Sequence, residues 1–171
     1  IKLFDSYFGW GLSWLMIPGS MLAILGAVYT AFLFGQARGR DLWQSTVLSA
    51  VHMLVHAVMA GSVAMMVIAP ETSAWMANVL LWGIILNLCI IAKEILMPHD
   101  TPDTRKAIHL MTKGYYSKYF WAGIVFGSIT PIVMINTYAD TMTLIAGGMA
   151  LVGIFLTEFV RIRVPQMIPL S

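Results

Sequence analysis

Charge and cysteine are both scarce in this sequence. Only 11% of its 171 residues are Asp, Glu, Lys or Arg, against about 25% in an ordinary soluble domain. A net charge of +2 is too small to recruit nucleic acid, which takes a broad basic surface. The one cysteine, Cys89, has no disulfide partner in the chain and cannot frame a zinc or iron–sulfur centre. Any such cluster is therefore expected in another subunit. No Gly-rich phosphate loop, nucleophile triad or metal-ligand motif stands in the sequence, which argues against a soluble-type enzyme acting alone. The chain opens on Ile1 without a basic and then apolar leader, so it reads as part of something longer and not as a signal peptide.

Hydrophobic residues make up 59% of the chain, and the mean hydropathy is +0.81. Five segments are long enough to cross about 30 Å of hydrocarbon, which takes roughly 20 helical residues: approximately Phe8–Gln36, Gln44–Ala69, Ser73–Met97, Tyr119–Thr137 and Met142–Val160. Between them stand Arg38-Gly39-Arg40-Asp41, Ala69-Pro70-Glu71-Thr72, a long Pro98–Lys118 loop and an Asn136–Thr141 turn. The segments alternate too poorly for barrel strands, and a helix satisfies its backbone within itself. The expected fold is an all-α integral membrane domain of about five transmembrane helices spanning residues 1–171.

Five crossings put the Arg38–Asp41 hairpin, the long loop and the C-terminal tail on one side. That side, with Lys93, holds nine of the ten basic residues, leaving Lys2 opposite. The asymmetry predicts that the basic side, with the C-terminus and the 98–118 loop, is cytoplasmic. Trp43, Trp75, Trp121, Tyr115, Tyr116 and Tyr119 fall at segment ends, where amphipathic rings suit the headgroup layer. Pro18 and Pro131 are expected to kink their helices. Gly123 with Gly127, and Gly147-Gly148 with Gly153, offer small faces for close packing.

Within "VHMLVHAVMAG", His52 and His56 stand four apart on one helical face near mid-membrane. They suit a buried proton-handling pair, a pair hydrogen-bonded between helices, or axial ligation of a haem b. The last is disfavoured because two ligands on one helix face cannot approach an iron from opposite sides. Intramembrane ionisable residues are costly and point to function. Glu94 is either a proton-path carboxylate or one arm of an interfacial ion pair with Lys93. Glu158 is placed for an i,i+3 pair with Arg161. Asn87, Cys89 and Ser62 read as polar packing groups. The 13 methionines could line a quinone or lipid site, although such residues are common in lipid-facing and core positions.

Four stretches taken together, "YTAFLFGQARGRDLWQS", "HMLVHAVMAG", "KEILMPHDTPDTRKAIHLMTKGYYSKYFW" and "RVPQMIPLS", resemble the C-terminal half of the NrfD-like family. These are polysulfide-reductase-type membrane subunits, also found in alternative complex III. The resemblance covers about Gly26 to Ser171 and includes polar hairpins that hydrophobicity alone does not produce. It implies two four-helix bundles, of which this chain holds the second plus a flanking helix. It further implies a subunit, non-catalytic alone, that exchanges electrons between a menaquinone or ubiquinone pool and a ferredoxin-like iron–sulfur partner. That partner is wired to a molybdopterin or multihaem cytochrome c subunit, and a second NrfD-like subunit is present in some complexes. No cofactor is expected to be covalently bound, and the quinone site belongs to the bundle outside this stretch. The polar set carried over is His52, His56, Glu94 and His99, with Glu158 added as a fifth proton-path candidate, in a bacterial inner membrane. Competing expectations are a secondary transporter or proton-channel half, for which no convincing inverted repeat stands in the sequence, a haem b anchor, and a purely structural assembly subunit.

Overall fold

The computed structural model describes residues 9, 11–36, 46–96, 101–137 and 140–168. It is all-α, with no strand among those residues. Seven helices are labelled in chain order: α1 Met16–Gln36, α2 Thr46–Ile68, α3 Ser73–Leu96, α4 Pro102–Thr112, α5 Ser117–Ile124, α6 Thr130–Thr137 and α7 Asp140–Gln166. A π-helical turn, Val125–Ile129, joins α5 to α6 into one span. Counting that span once, five helices are long and apolar enough to cross a membrane.

The spans formed by α2, α3, α5–α6 and α7 pack as a bundle, and α1 stands outside it against α2. Only 6% of the α1 span is buried, against 33–39% for the other four, so α1 is a flanking helix. Helix contact in lipid depends on close packing and not on escape from water, and the α5–α6/α7 seam shows how it is achieved. A Cβ on Gly127 would lie 2.1 Å from the Gly153 Cα, so both positions require glycine for the backbones to meet. Gly123 is similarly confined by Thr157, whereas Gly148 faces open space and takes no part.

Four expectations need correction. The first span is helical from a 3-10 turn, Leu12–Leu15, that runs into α1 at Met16, later than the expected start near Phe8, and Pro18 stands in the first turn of α1, close to the junction of the two. The 98–118 loop contains α4. Thr101 caps it by accepting from the Thr104 N–H at 3.2 Å, Pro102 sits at its first position, and an apolar face of Ala107 and Met111 packs with Phe120, Ile124, Val160 and Val164. Helix α7 runs to Gln166, past the expected end at Val160. Arg161 is consequently not in a cytoplasmic tail but inside the bundle, 5% exposed. Pro131 does perturb its span: the π turn immediately precedes it, and the Thr130 hydroxyl donates to the Val125 carbonyl at 2.9 Å.

Candidate functional site

On α2 the positions Ser49, His52, His56, Met59, Val63 and Met66, at alternating steps of three and four, are all buried, as one face of a helix requires. The polar members of that stripe lie toward Thr46, the end shared with α4 and the basic loops. There α2 meets Asn87 and Glu94 of α3 and Thr157, Glu158 and Arg161 of α7.

Arg161 is the centre of this cluster. Its Nη2 donates to Glu94 Oε1 at 2.5 Å, and its Nη1 donates to His52 Nδ1 at 2.5 Å and to Glu158 Oε1 at 3.3 Å. Because His52 Nδ1 accepts from a guanidinium, the ring proton sits on Nε2, which donates to Asn87 Oδ1 at 2.7 Å. His56 Nε2 reaches the same oxygen at 3.0 Å. One amide oxygen thus gathers both imidazoles, whose centroids are 4.3 Å apart. His56 Nδ1 is turned toward Glu158 Oε1 at 3.8 Å, beyond direct hydrogen-bond range. His52 is locked at both nitrogens, whereas His56 keeps one nitrogen facing a carboxylate.

Two carboxylates surround one guanidinium, so the formal charge of the cluster is −1 before any imidazole is protonated. Burying an uncompensated charge is expensive, and taking one partner from a buried pair costs about 3–5 kcal/mol. Uptake of one proton by the cluster would bring it to neutrality. A cavity of about 20 Å³ lies against Glu94, Glu158, Arg161, His52 and Thr157. Among the described residues, Arg161 Nε is the buried side-chain nitrogen or oxygen that has no hydrogen-bond partner.

The donor set suits neither a cation nor a cofactor. Ligand atoms of His52, His56 and Glu158 lie within 4.8 Å of one another, a spacing that could hold a metal ion. The guanidinium already bonds to two of the three and supplies the positive charge there, so these residues do not fit a metal in this arrangement. Haem ligation by His52 is likewise opposed, since Arg161 and Asn87 engage both its nitrogens. A quinone ring does not fit beside the cluster either, because an aromatic ring needs a cavity of about 150 Å³ and this one offers about 20 Å³.

Of the expected proton-path residues, the structure brings His52, His56, Glu94 and Glu158 together. His99 lies outside the described residues, as does the Arg38–Asp41 hairpin. The i,i+3 pair of Glu158 with Arg161 is present, but Glu94 pairs with Arg161 and not with its neighbour Lys93, which is exposed. Sequence reasoning missed Arg161 as the centre and Asn87 as the bridge. Asn87 was legible from spacing, since it stands seven before Glu94 on α3, the repeat that keeps a side chain on one helix face; Arg161's central place depends on how α7 docks.

Comparison with curated proteins finds no match, and comparison with solved structures finds none. A family model described as polysulphide reductase, NrfD, matches residues 5–169. NrfD proteins are membrane subunits of quinol-linked oxidoreductases and generally pair with iron–sulfur and molybdopterin subunits. With nearly its whole length matched, five membrane-spanning helices and a buried ionisable cluster at their core, this chain belongs to the NrfD family.

Proposed function

We propose that this protein passes electrons between the quinone pool and an attached ferredoxin-like iron–sulfur subunit in a bacterial inner membrane, and that the Arg161 cluster handles the accompanying protons. Oxidising a quinol releases two electrons and two protons. The electrons leave through the iron–sulfur partner to a molybdopterin or multihaem cytochrome c subunit, and the protons need a separate route. Menaquinone or ubiquinone would react elsewhere in the complex, since the cavity at the cluster is too small for the ring. The bias of the basic residues toward the α4 side supports a cytoplasmic α4 end.

The observation that carries this reading is the gathering of Glu94, Glu158, His52 and His56 into one contact set by a single buried guanidinium and a single amide oxygen. Glu94 stands two residues from the end of α3, and His56 stands ten residues inside α2, a depth of about 15 Å at 1.5 Å per residue. The set reaches from the interface to mid-membrane. Arg161 fixes the geometry, while Glu94, Glu158 and His56 take up and release the proton.

The test is quinol turnover of the native complex in sealed vesicles, with proton uptake or release followed on the basic side. Glu94→Gln and His56→Leu should each lower proton movement per electron by about tenfold, with all subunits still assembled. Unchanged proton movement in an assembled variant overturns the proton-handling role.

A further inference from the structure

The buried stripe of α2 changes chemistry at its midpoint. Beyond His56 come Met59, Val63 and Met66, facing Ala77, Leu80 and Ile84 of α3 and Ala150 of α7, in one apolar cluster. Met59, Leu80, Ile84 and Ala150 are completely enclosed. Packing at this level is tight: a Cβ on Gly83 would meet Met59 Cγ at 2.6 Å. From His56 to the far end of α2 at Ile68 is twelve residues, about 18 Å, or more than half of a hydrocarbon core about 30 Å thick.

Polar groups in that half do not bridge it. Ser62 gives its hydroxyl to the Met59 carbonyl at 2.7 Å. Among the described residues, the other buried polar side chains there are Thr143 near the start of α7 and Ser128 in the π turn. None can gain or lose a proton near neutral pH, and wholly apolar interior stays dry.

Toward the α4 end the situation is reversed. Glu94 is 21% exposed and sits within a turn of the end of its helix. The cavity of about 20 Å³ is the size of one water. Both carboxylates border it, Arg161, itself 5% exposed, lines it, and the Arg161 Nε has no protein partner. Ile108 and Met111 of α4 line it as well, which sets it at the α4 end of the bundle.

We propose that the Arg161 cluster is a proton well open on one side: protons enter and leave from the α4 end, through one water held in this cavity by Arg161 Nε–H, and the Met59–Leu80–Ile84 layer seals the other half. This inference rests on the proton-handling reading above. It differs from a transmembrane proton path, because the bundle delivers no proton to the opposite face.

The experiment uses the native complex in sealed vesicles with no quinol or electron acceptor, and a potassium-diffusion potential of either sign to drive protons. The intact complex should pass protons no faster than vesicles without it. Met59→Gln with Leu80→Gln, which puts amides into the seal, should raise the flux by about tenfold or more, and adding Glu158→Gln should return it to background. Conduction by the intact complex overturns the one-sided well, as does an assembled seal variant that stays tight or one that leaks regardless of Glu158. If the seal variant does not assemble, the flux of the intact complex alone decides. Because no turnover is involved, failure here is separable from failure of the proton-handling role, which shows in turnover-linked movement.

Discussion

On one face of α2, Ser49, His52 and His56 occupy the half nearer α4, and Met59, Val63 and Met66 occupy the other, all buried. The same switch occurs on α3, where Leu80 and Ile84 give way to Asn87 and Glu94, and on α7, where Ala146 and Ala150 give way to Thr157, Glu158 and Arg161. Three helices change character at about one depth. In the apolar half, association rests on close packing, which is local and tolerant. In the polar half each group depends on a partner from another helix, so losing one strands the others. The costly half is the one proposed to handle protons, and its stability is concentrated in a few side chains.

Substitutions can break that contrast, and the largest effect belongs to Arg161. Arg161→Leu leaves Glu94 and Glu158 without their cation and should destabilise the complex by about 3–5 kcal/mol. Thermal denaturation of the purified complex checks this, and Glu94→Gln in the same chain should recover part of the loss. Next comes Asn87→Leu, which removes the acceptor for two imidazole N–H groups at similar side-chain volume. A cost of about 2–3 kcal/mol is expected, with turnover-linked proton movement reduced as well.

Leu80→Ala, in the apolar half, should cost less, about 1–2 kcal/mol. A cavity loses contacts, but in lipid the removed methyls carry little transfer term. If it proves costlier than Asn87→Leu, the contrast between the halves is wrong. Smallest is Ser62→Ala, whose hydroxyl only returns to its own helix at Met59; about 0.5 kcal/mol or less is expected in the same melting assay.

Much of the fold was legible because a bilayer restricts the choices. Length and hydropathy identified five spans, and the structure moves the boundaries of the middle three by only a few residues. The errors fall where charge was taken to mean water. Arg161 and Arg163 marked the end of the last span in the sequence, yet α7 continues through both to Gln166, because Arg161 finds Glu94 and Glu158 inside the bundle. The same assumption hid α4 within a polar loop, although its Thr101 cap, Pro102 and buried Thr104, Ala107 and Met111 carry the signature of an amphipathic helix. His52, His56, Glu94 and Glu158 were found as singly suspicious residues. That they share one guanidinium depends on how α3 and α7 dock, and no single helix encodes that.

The most direct test of the central proposal, that Glu158 takes part in proton uptake and release by this cluster, is an infrared difference spectrum of the native complex between its oxidised and reduced states. A carboxyl C=O band should change with redox state, and it should vanish in Glu158→Gln while persisting in Glu71→Gln at the far end of the bundle. A spectrum in which Glu158→Gln leaves every carboxyl band unchanged would contradict the account.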